Sequence, residues 1–416
     1  MKILVSAYAC SPYQGSEPSS GWGFIYELSK QHEITAFVEE EKFRKDIEHY
    51  LENNNDHAKT IKFIFVKKNR NRRLRRIWPP SYYWYYRAWH KKVFQIAKNM
   101  LSNQKFDLVH QLNMSGFREP GFLWKLDLPF VWGPVGGMGY FPYKFFHHVG
   151  IKGSLYYLAY NVFNFLHMNF LCRPRLAAKK AGVGLISATS DNKRSIKNYW
   201  SYRSTLISEI GKPYIKNSFS VGRRKIGDPL HLVWSGQHTP GKALNIALKA
   251  LSLISKDIKW KFHILGNGEL TNKWKNYAHS LGIAKNCKFY GLVTRQEALK
   301  IMEQSNLMLI TSLRDLTSAV TVESVSLGLP VICLDHSGFS DVIDESCGIK
   351  IPVTNFPDVT IEISKAIETL ALDNNLLAEL AEGAFNKSAM YSWKYKVDIL
   401  HQVYRKKIDE YNSEYD

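Results

Sequence analysis

The sequence predicts two doubly wound α/β domains, each built on a parallel sheet. The chain has 416 residues, more than one ordinary hydrophobic core organises, and two domains of roughly 200 residues each is the natural division. Short runs rich in Val, Ile, Leu and Phe recur without strict alternation, as strands buried on both faces require. Segments of helical length separate these runs, so that a β-α-β-α series occurs twice.

In the first half the expected strands are 2–8, 33–38, 60–66, 108–112, 129–132 and 184–189. In the second they are 230–236, 261–266, 287–291, 307–312 and 330–335. Amphipathic patterns such as 242–253 and 272–281 read as the helices between them. The stretch 211–229 is rich in Gly, Ser, Lys and Arg and reads as a linker. It divides a first domain, 1–210, from a second, 230–391. Residues 392–416 carry a long final helix expected to pack back on the first domain. The uncharged stretch 153–172 contains Asn161, Asn164, His167 and Asn169. These are costly in hydrocarbon, so it reads as a buried or interfacial helix and not a membrane span. The apolar start at Met1–Cys10 is short and reads as a first strand rather than a signal peptide.

The formal net charge is +19. Residues 1–210 hold 31 Lys and Arg against 15 Asp and Glu, and the remainder 25 against 22. A cationic first half implies an anionic partner such as lipid headgroups, a pyrophosphate-linked substrate or nucleic acid. The five cysteines are odd in number, with no CxxC or Cys/His spacing. This argues against a disulfide framework and structural zinc, and for free thiols in a reducing compartment.

Ligands of doubly wound sheets bind beyond the C-terminal ends of the strands, so residues just after the expected strands are the candidates. After 307–312 comes Arg314-Asp315-Leu316-Thr317-Ser318, then an expected helix with Ser318 as its N-cap. The free amides near Ala319 and Val320 suit a phosphate. Glu323 lies one to two turns on, and Gly328-Leu329-Pro330 closes the helix. After the 230–236 run come Gly236, Gln237 and Lys242, and after 261–266 come Gly266 and Gly268. In the first half, Gly15 and Glu17 follow the first strand. Glu17 suits an acceptor hydroxyl or, equally, a helix start. His110 closes the 108–112 run, where it either orients substrate hydroxyls or is structural.

The spacing of Asp315 and Glu323 before Gly328-Leu329-Pro330-Val331 resembles the signature of the retaining, family 4 (group 1) GT-B glycosyltransferases. That family shows Glu-x7-Glu before Gly-x-Pro-Val. The first acid is Asp here, and Leu316-Thr317-Ser318 replaces the usual Gly-Phe-Gly. The resemblance implies that Asp315 contacts the donor sugar and Glu323 holds the ribose. It also implies that Lys242 neutralises the donor diphosphate, with Gln237 where the family has Arg. It further implies two Rossmann-like domains facing each other across an interdomain cleft, a C-terminal crossover helix, and transfer with retention. Gly15, Gly236 and Gly266 are then close-approach positions, and His110, Glu17 and Asp315 the catalytic candidates.

The expected function is sugar transfer from a nucleotide-sugar donor to a lipid-linked saccharide acceptor in cell-surface polysaccharide synthesis. No cofactor is expected, and no Asp-x-Asp appears, in keeping with a metal-independent site. Seven Lys/Arg within 67–76 precede Trp78, Tyr82, Tyr83, Trp84, Tyr85, Tyr86 and Trp89. Cations beside Trp and Tyr suit an anionic membrane surface, which places the protein in the cytoplasm at the inner face of the membrane. A solvated basic loop with a buried aromatic helix is the plain alternative. A catalytically impaired scaffold acting as a binding module is the alternative function. Nucleic-acid binding finds no motif.

Overall fold

The computed structural model describes residues 1–69, 72–78, 81–212 and 227–413. The chain divides into two compact units. The first comprises Met1–Met138, Phe165–Tyr214 and Ser392–Asp416, and the second Gly139–Asn164 and Ile215–Tyr391. Residues 139–164 thus group with the second unit and not with an uninterrupted 1–210 domain. Their contacts give the reason. His148 stacks on Phe356 with ring centroids 4.0 Å apart, and the Arg314 guanidinium lies over the Tyr160 ring at 3.7 Å. Most of the expected 211–229 linker lies outside the described residues.

The first unit holds a seven-stranded parallel sheet in the order β3-β2-β1-β4-β5-β6-β7. Its strands are β1 (Lys2–Ala7), β2 (Glu33–Glu39), β3 (Lys62–Val66), β4 (Leu108–Asn113), β5 (Phe130–Val135), β6 (Leu185–Ser187) and β7 (Thr205–Leu206). The second unit holds six parallel strands in the order β10-β9-β8-β11-β12-β13. These are β8 (Leu230–Ser235), β9 (Trp260–Leu265), β10 (Cys287–Gly291), β11 (Leu307–Ile310), β12 (Val331–Leu334) and β13 (Gly348–Ile351). All eleven expected runs are strands. The two additional strands, β7 and β13, lie at sheet edges and are too short or too polar to register as apolar runs. The central strands β4, β5, β11 and β12 are buried along their whole length, which is why their apolar residues do not alternate.

In each sheet the strand order reverses once, between β1 and β4 and between β8 and β11. Loops on either side of such a reversal diverge and leave a crevice at the C-terminal strand ends. In the second unit the glycines expected at this edge have a packing reason. Gly266 has φ of 109°, and a Cβ there would sit 1.9 Å from the Gly236 carbonyl oxygen. A Cβ at Gly268 would sit 2.7 Å from the His238 carbonyl oxygen. The Gly236 amide donates to the Leu265 carbonyl at 3.1 Å, and the Gly266 amide to the Gly291 carbonyl at 2.8 Å. The loops after β8, β9 and β10 are therefore joined backbone to backbone.

The C-terminal helix, Trp393–Ser413, belongs to the first unit. Trp393 packs edge-on to Phe24 at 5.0 Å, over space that Gly23 and Gly211 leave open. Tyr404 and His110 form the polar link between this helix and the sheet. His110 Nδ1 lies 2.7 Å from the Tyr404 hydroxyl, and Nε2 lies 2.8 Å from the Gly133 carbonyl. Because a carbonyl only accepts, Nε2 carries the proton and Nδ1 accepts from Tyr404. His110 is fully buried, so the expectation that it orients substrate hydroxyls is corrected. It is a structural histidine with both nitrogens occupied, and burial holds its pKa down to about 4.

Two outcomes follow from this packing. Gly266→Ala should destabilise the second unit by about 2–4 kcal/mol in urea unfolding, because the new methyl meets backbone at a strained φ. The second outcome concerns acid. The unfolded chain protonates His110 near its ordinary pKa, about 6.5, whereas the folded chain resists until about 4. Stability is therefore fully present above about pH 6.5 and falls as the pH drops toward 4, by on the order of 3 kcal/mol for this residue. The melting temperature of His110→Gln should be lower at neutral pH and depend less steeply on pH across that window.

Candidate active site

The second-unit site is built on the β8–β11 reversal. After β8 the chain passes Gly236 and the exposed Gln237, makes a short turn over Pro240–Lys242, and enters the helix Leu244–Leu251. After β11 it runs through Arg314 and Asp315 to the helix Ala319–Ser326. Three bonds hold the two loops together. The Leu313 amide donates to the Gly241 carbonyl at 2.8 Å. Trp234 Nε1 donates to Thr311 Oγ1 at 3.1 Å, and that hydroxyl donates to the Lys242 carbonyl at 3.2 Å. Knitted in this way, the loops place the Lys242 ammonium on Asp315 Oδ2 as an ion pair. Asp315 Oδ1 accepts from the Leu316 amide at 2.9 Å.

Ser318 precedes the helix with φ of 64° and ψ of 115°, and its side chain makes no capping bond. The N-cap expectation is corrected to this extent: Ser318 marks the helix start by its backbone alone. A non-glycine residue in that region costs on the order of 1–3 kcal/mol and persists only where its surroundings impose it. It stands where the resembled family has the last glycine of Gly-Phe-Gly, a residue that adopts positive φ without strain. Ala319 and Val320 head the helix with N–H groups that the helix itself cannot satisfy, and those dipoles favour an anion.

Glu323 follows one turn later, largely covered. Its Oε1 accepts from Arg295 Nε at 3.1 Å and Nη2 at 2.9 Å. Arg295 escaped the sequence reading. It opens the helix Arg295–Glu303, whose start carries a full capping box of Thr294 and Glu297. A cation in the first turn of a helix opposes the helix dipole, and that misfit was the available signal. Lys242, Asp315, Glu323 and Arg295 thus form two ion pairs, beside the unsatisfied amides of one helix.

In the first unit, Gly15 is exposed, with open space where a Cβ would be, so no protein contact demands glycine there. Glu17 opens the helix Glu17–Leu28, but its carboxylate turns away from the helix amides. Oε1 accepts from the Ser115 amide at 3.0 Å, after β4, and Oε2 is buried without a hydrogen-bond partner. Burial raises its pKa. Glu17 therefore lies at the β1–β4 reversal, while His110 does not take part.

The basic and aromatic segment divides. Lys68 is buried with its ammonium 3.8 Å from the Tyr82 ring centroid, and Tyr86 and Trp89 are core residues. Trp78, Tyr83 and Trp84 are exposed, as are Lys67, Arg73, Arg75 and Arg76. Arg70 lies outside the described residues.

Comparison with known proteins places this geometry. Residues 218–387 match the family of glycosyl transferases group 1. A D-inositol 3-phosphate glycosyltransferase of Rhodococcus erythropolis is 23% identical over 246 residues, and the match spans 55% of each chain. The chain therefore spans about half the length of that relative. Among solved structures, sucrose-phosphate synthase from Thermosynechococcus elongatus superposes with a TM-score of 0.64 at 12% identity, over 97% of this chain and 98% of that one. HepE of Anabaena in complex with UDP-glucose does so at 0.57 and 14% identity, over 98% and 99%. The two-sheet architecture is that of the GT-B fold, and residues 218–387 of the second unit are similar to the group 1 glycosyl transferases.

Proposed function

We propose that the chain is a glycosyltransferase that moves a sugar from a nucleotide-sugar donor, held by the second unit, to a saccharide acceptor held through the first. The observation that carries the reading is the Lys242–Asp315 pair set beside the free amides of the Ala319–Ser326 helix and a Glu323 tied through one oxygen only. A donor diphosphate draws the Lys242 ammonium and lies against the amides of Ala319 and Val320. Glu323 Oε2, which accepts no hydrogen bond among the described residues, receives the ribose diol while Arg295 fixes the carboxylate. Asp315, released from Lys242, holds a hydroxyl of the transferred sugar. The anomeric C–O bond breaks with its electron pair going to the diphosphate. An acceptor oxygen forms the new bond, and its proton leaves with the phosphate. The match of residues 218–387 to the group 1 family supports retention of configuration. Lys242, Arg295 and the helix amides form a cationic set that meets the diphosphate without a resident metal ion.

The acceptor is read as lipid-linked and destined for cell-surface polysaccharide, with the protein at the inner face of the membrane. The support is the exposed Trp78 and Trp84 beside Lys67, Arg73, Arg75 and Arg76, a composition that suits anionic headgroups. Glu17, with one buried oxygen lacking a partner, is read as the acceptor-side carboxyl.

Thermal shift with UDP-, GDP- and ADP-sugars should identify a stabilising donor. Lys242→Ala and Glu323→Ala should each weaken its binding by about 10- to 100-fold, the worth of one charge-assisted hydrogen bond, and wild-type affinity in both would overturn the assignment. Donor binding without measurable transfer or hydrolysis would make the chain a binding module. Replacing Lys67, Arg73, Arg75 and Arg76 by Gln should weaken affinity for anionic vesicles, read by sedimentation, by on the order of a thousandfold at low salt, at about 1 kcal/mol per cation. Unchanged sedimentation would remove the membrane from the reading.

A further inference from the structure

The helix Gly150–Phe170 has one side fixed to protein and one side left to solvent. On the fixed side Tyr157 stacks on Phe141. Asn161 exchanges two hydrogen bonds with the Phe141 backbone, each 2.9 Å, and Asn164 donates to the Gly139 carbonyl at 2.7 Å. Further on, Met168 is fully buried, and its carbonyl accepts from Trp200 Nε1 at 3.0 Å. Two of the asparagines that make the segment unfit to span hydrocarbon are thus spent on backbone.

On the other side lie Ile151, Leu155, Leu158, Val162 and Phe165, alternately four and three residues apart, which aligns them as one stripe along a 3.6-residue helix. They are 83%, 63%, 50%, 48% and 51% exposed. Soluble monomers seldom leave so continuous an apolar face in water. No helix among the described residues is long and apolar enough to cross a membrane.

Charge identifies the occupant of this face. From residue 128 to residue 190 the sequence has no Asp or Glu and six Lys or Arg, and Lys152 is the only charged residue of the helix itself. A second copy of the chain would bring the same positive surface against this one. An anionic bilayer offers negative headgroups for the cations and an apolar layer for the stripe.

We propose that the Gly150–Phe170 helix lies flat in an anionic bilayer surface, with the Ile151, Leu155, Leu158, Val162 and Phe165 side chains inserted below the headgroups. This rests on the membrane reading of the basic segment and adds a hydrophobic component to its electrostatic one.

Salt separates the two. The full chain is sedimented with phosphatidylcholine–phosphatidylglycerol vesicles at about 0.1 M and about 1 M salt, where the screening length shrinks from roughly 10 Å to 3 Å. Wild type should keep part of its binding at high salt. A Leu155→Gln/Val162→Gln double variant, altered only at exposed positions, should lose that residue of binding by about tenfold or more. Wild-type binding by the double variant at high salt overturns the proposal. So does a lipid-free wild-type dimer that the double variant converts to monomer, which would assign the face to a second copy. Binding that vanishes at high salt, yet still depends on the 67–76 cations at low salt, removes helix insertion and leaves the electrostatic reading intact. No vesicle binding at either salt removes both.

Discussion

The loops that follow β8 and β11 leave the second sheet side by side, and the lysine of one meets the aspartate of the other. Every other feature of the candidate donor site depends on that meeting. Lys242 and Asp315 are 73 positions apart in sequence. They pair because β8 and β11 are hydrogen-bonded neighbours whose connections run outward in opposite directions. The backbone bond from Leu313 to Gly241 and the Trp234–Thr311–Lys242 chain keep the loops in register. Gly266 closes the remaining side, against the Gly236 carbonyl where no side chain would fit and with its amide on the Gly291 carbonyl.

The electrostatics of the site follow from this arrangement. Two carboxylates and two cations balance each other in pairs, Lys242 with Asp315 and Arg295 with Glu323. In the proposed role, a diphosphate adds negative charge beside a helix whose first amides have no acceptor within the helix. The Lys242 ammonium keeps the Asp315 carboxylate from being left unpaired. The resembled family has Arg where Gln237 stands; here the guanidinium of Arg295, from a different strand end, pairs with Glu323.

The first unit repeats the logic with different chemistry. Its reversal lies between β1 and β4, and Glu17 crosses it to the Ser115 amide. Ser16 precedes its helix at φ of 59°, much as Ser318 does at 64°. Both units thus hold a non-glycine residue in the left-handed region just ahead of the helix that forms the site. The same unit uses His110 as a structural tie, because Tyr404 of the C-terminal helix and the Gly133 carbonyl claim both ring nitrogens.

The sequence alone determined the parallel strands, since a strand buried on both faces is written as an unbroken apolar run. It also determined where the candidate residues fall relative to the strands, because strand, loop and helix follow one another within a few residues, and it placed Asp315 and Glu323 before Gly328-Leu329-Pro330. Tertiary structure decided what each candidate touches. His110 and Glu17 both sit near strand ends, yet one is spent on core hydrogen bonds and the other keeps an unpartnered oxygen. Arg295 reaches Glu323 from another strand, and residues 139–164 pack with the second unit, through contacts that are distant in sequence. Local patterning records whether a residue is apolar and how its neighbours repeat. Which polar atoms are satisfied, and which face of a helix stays in water, depends on partners that only the folded chain brings within reach.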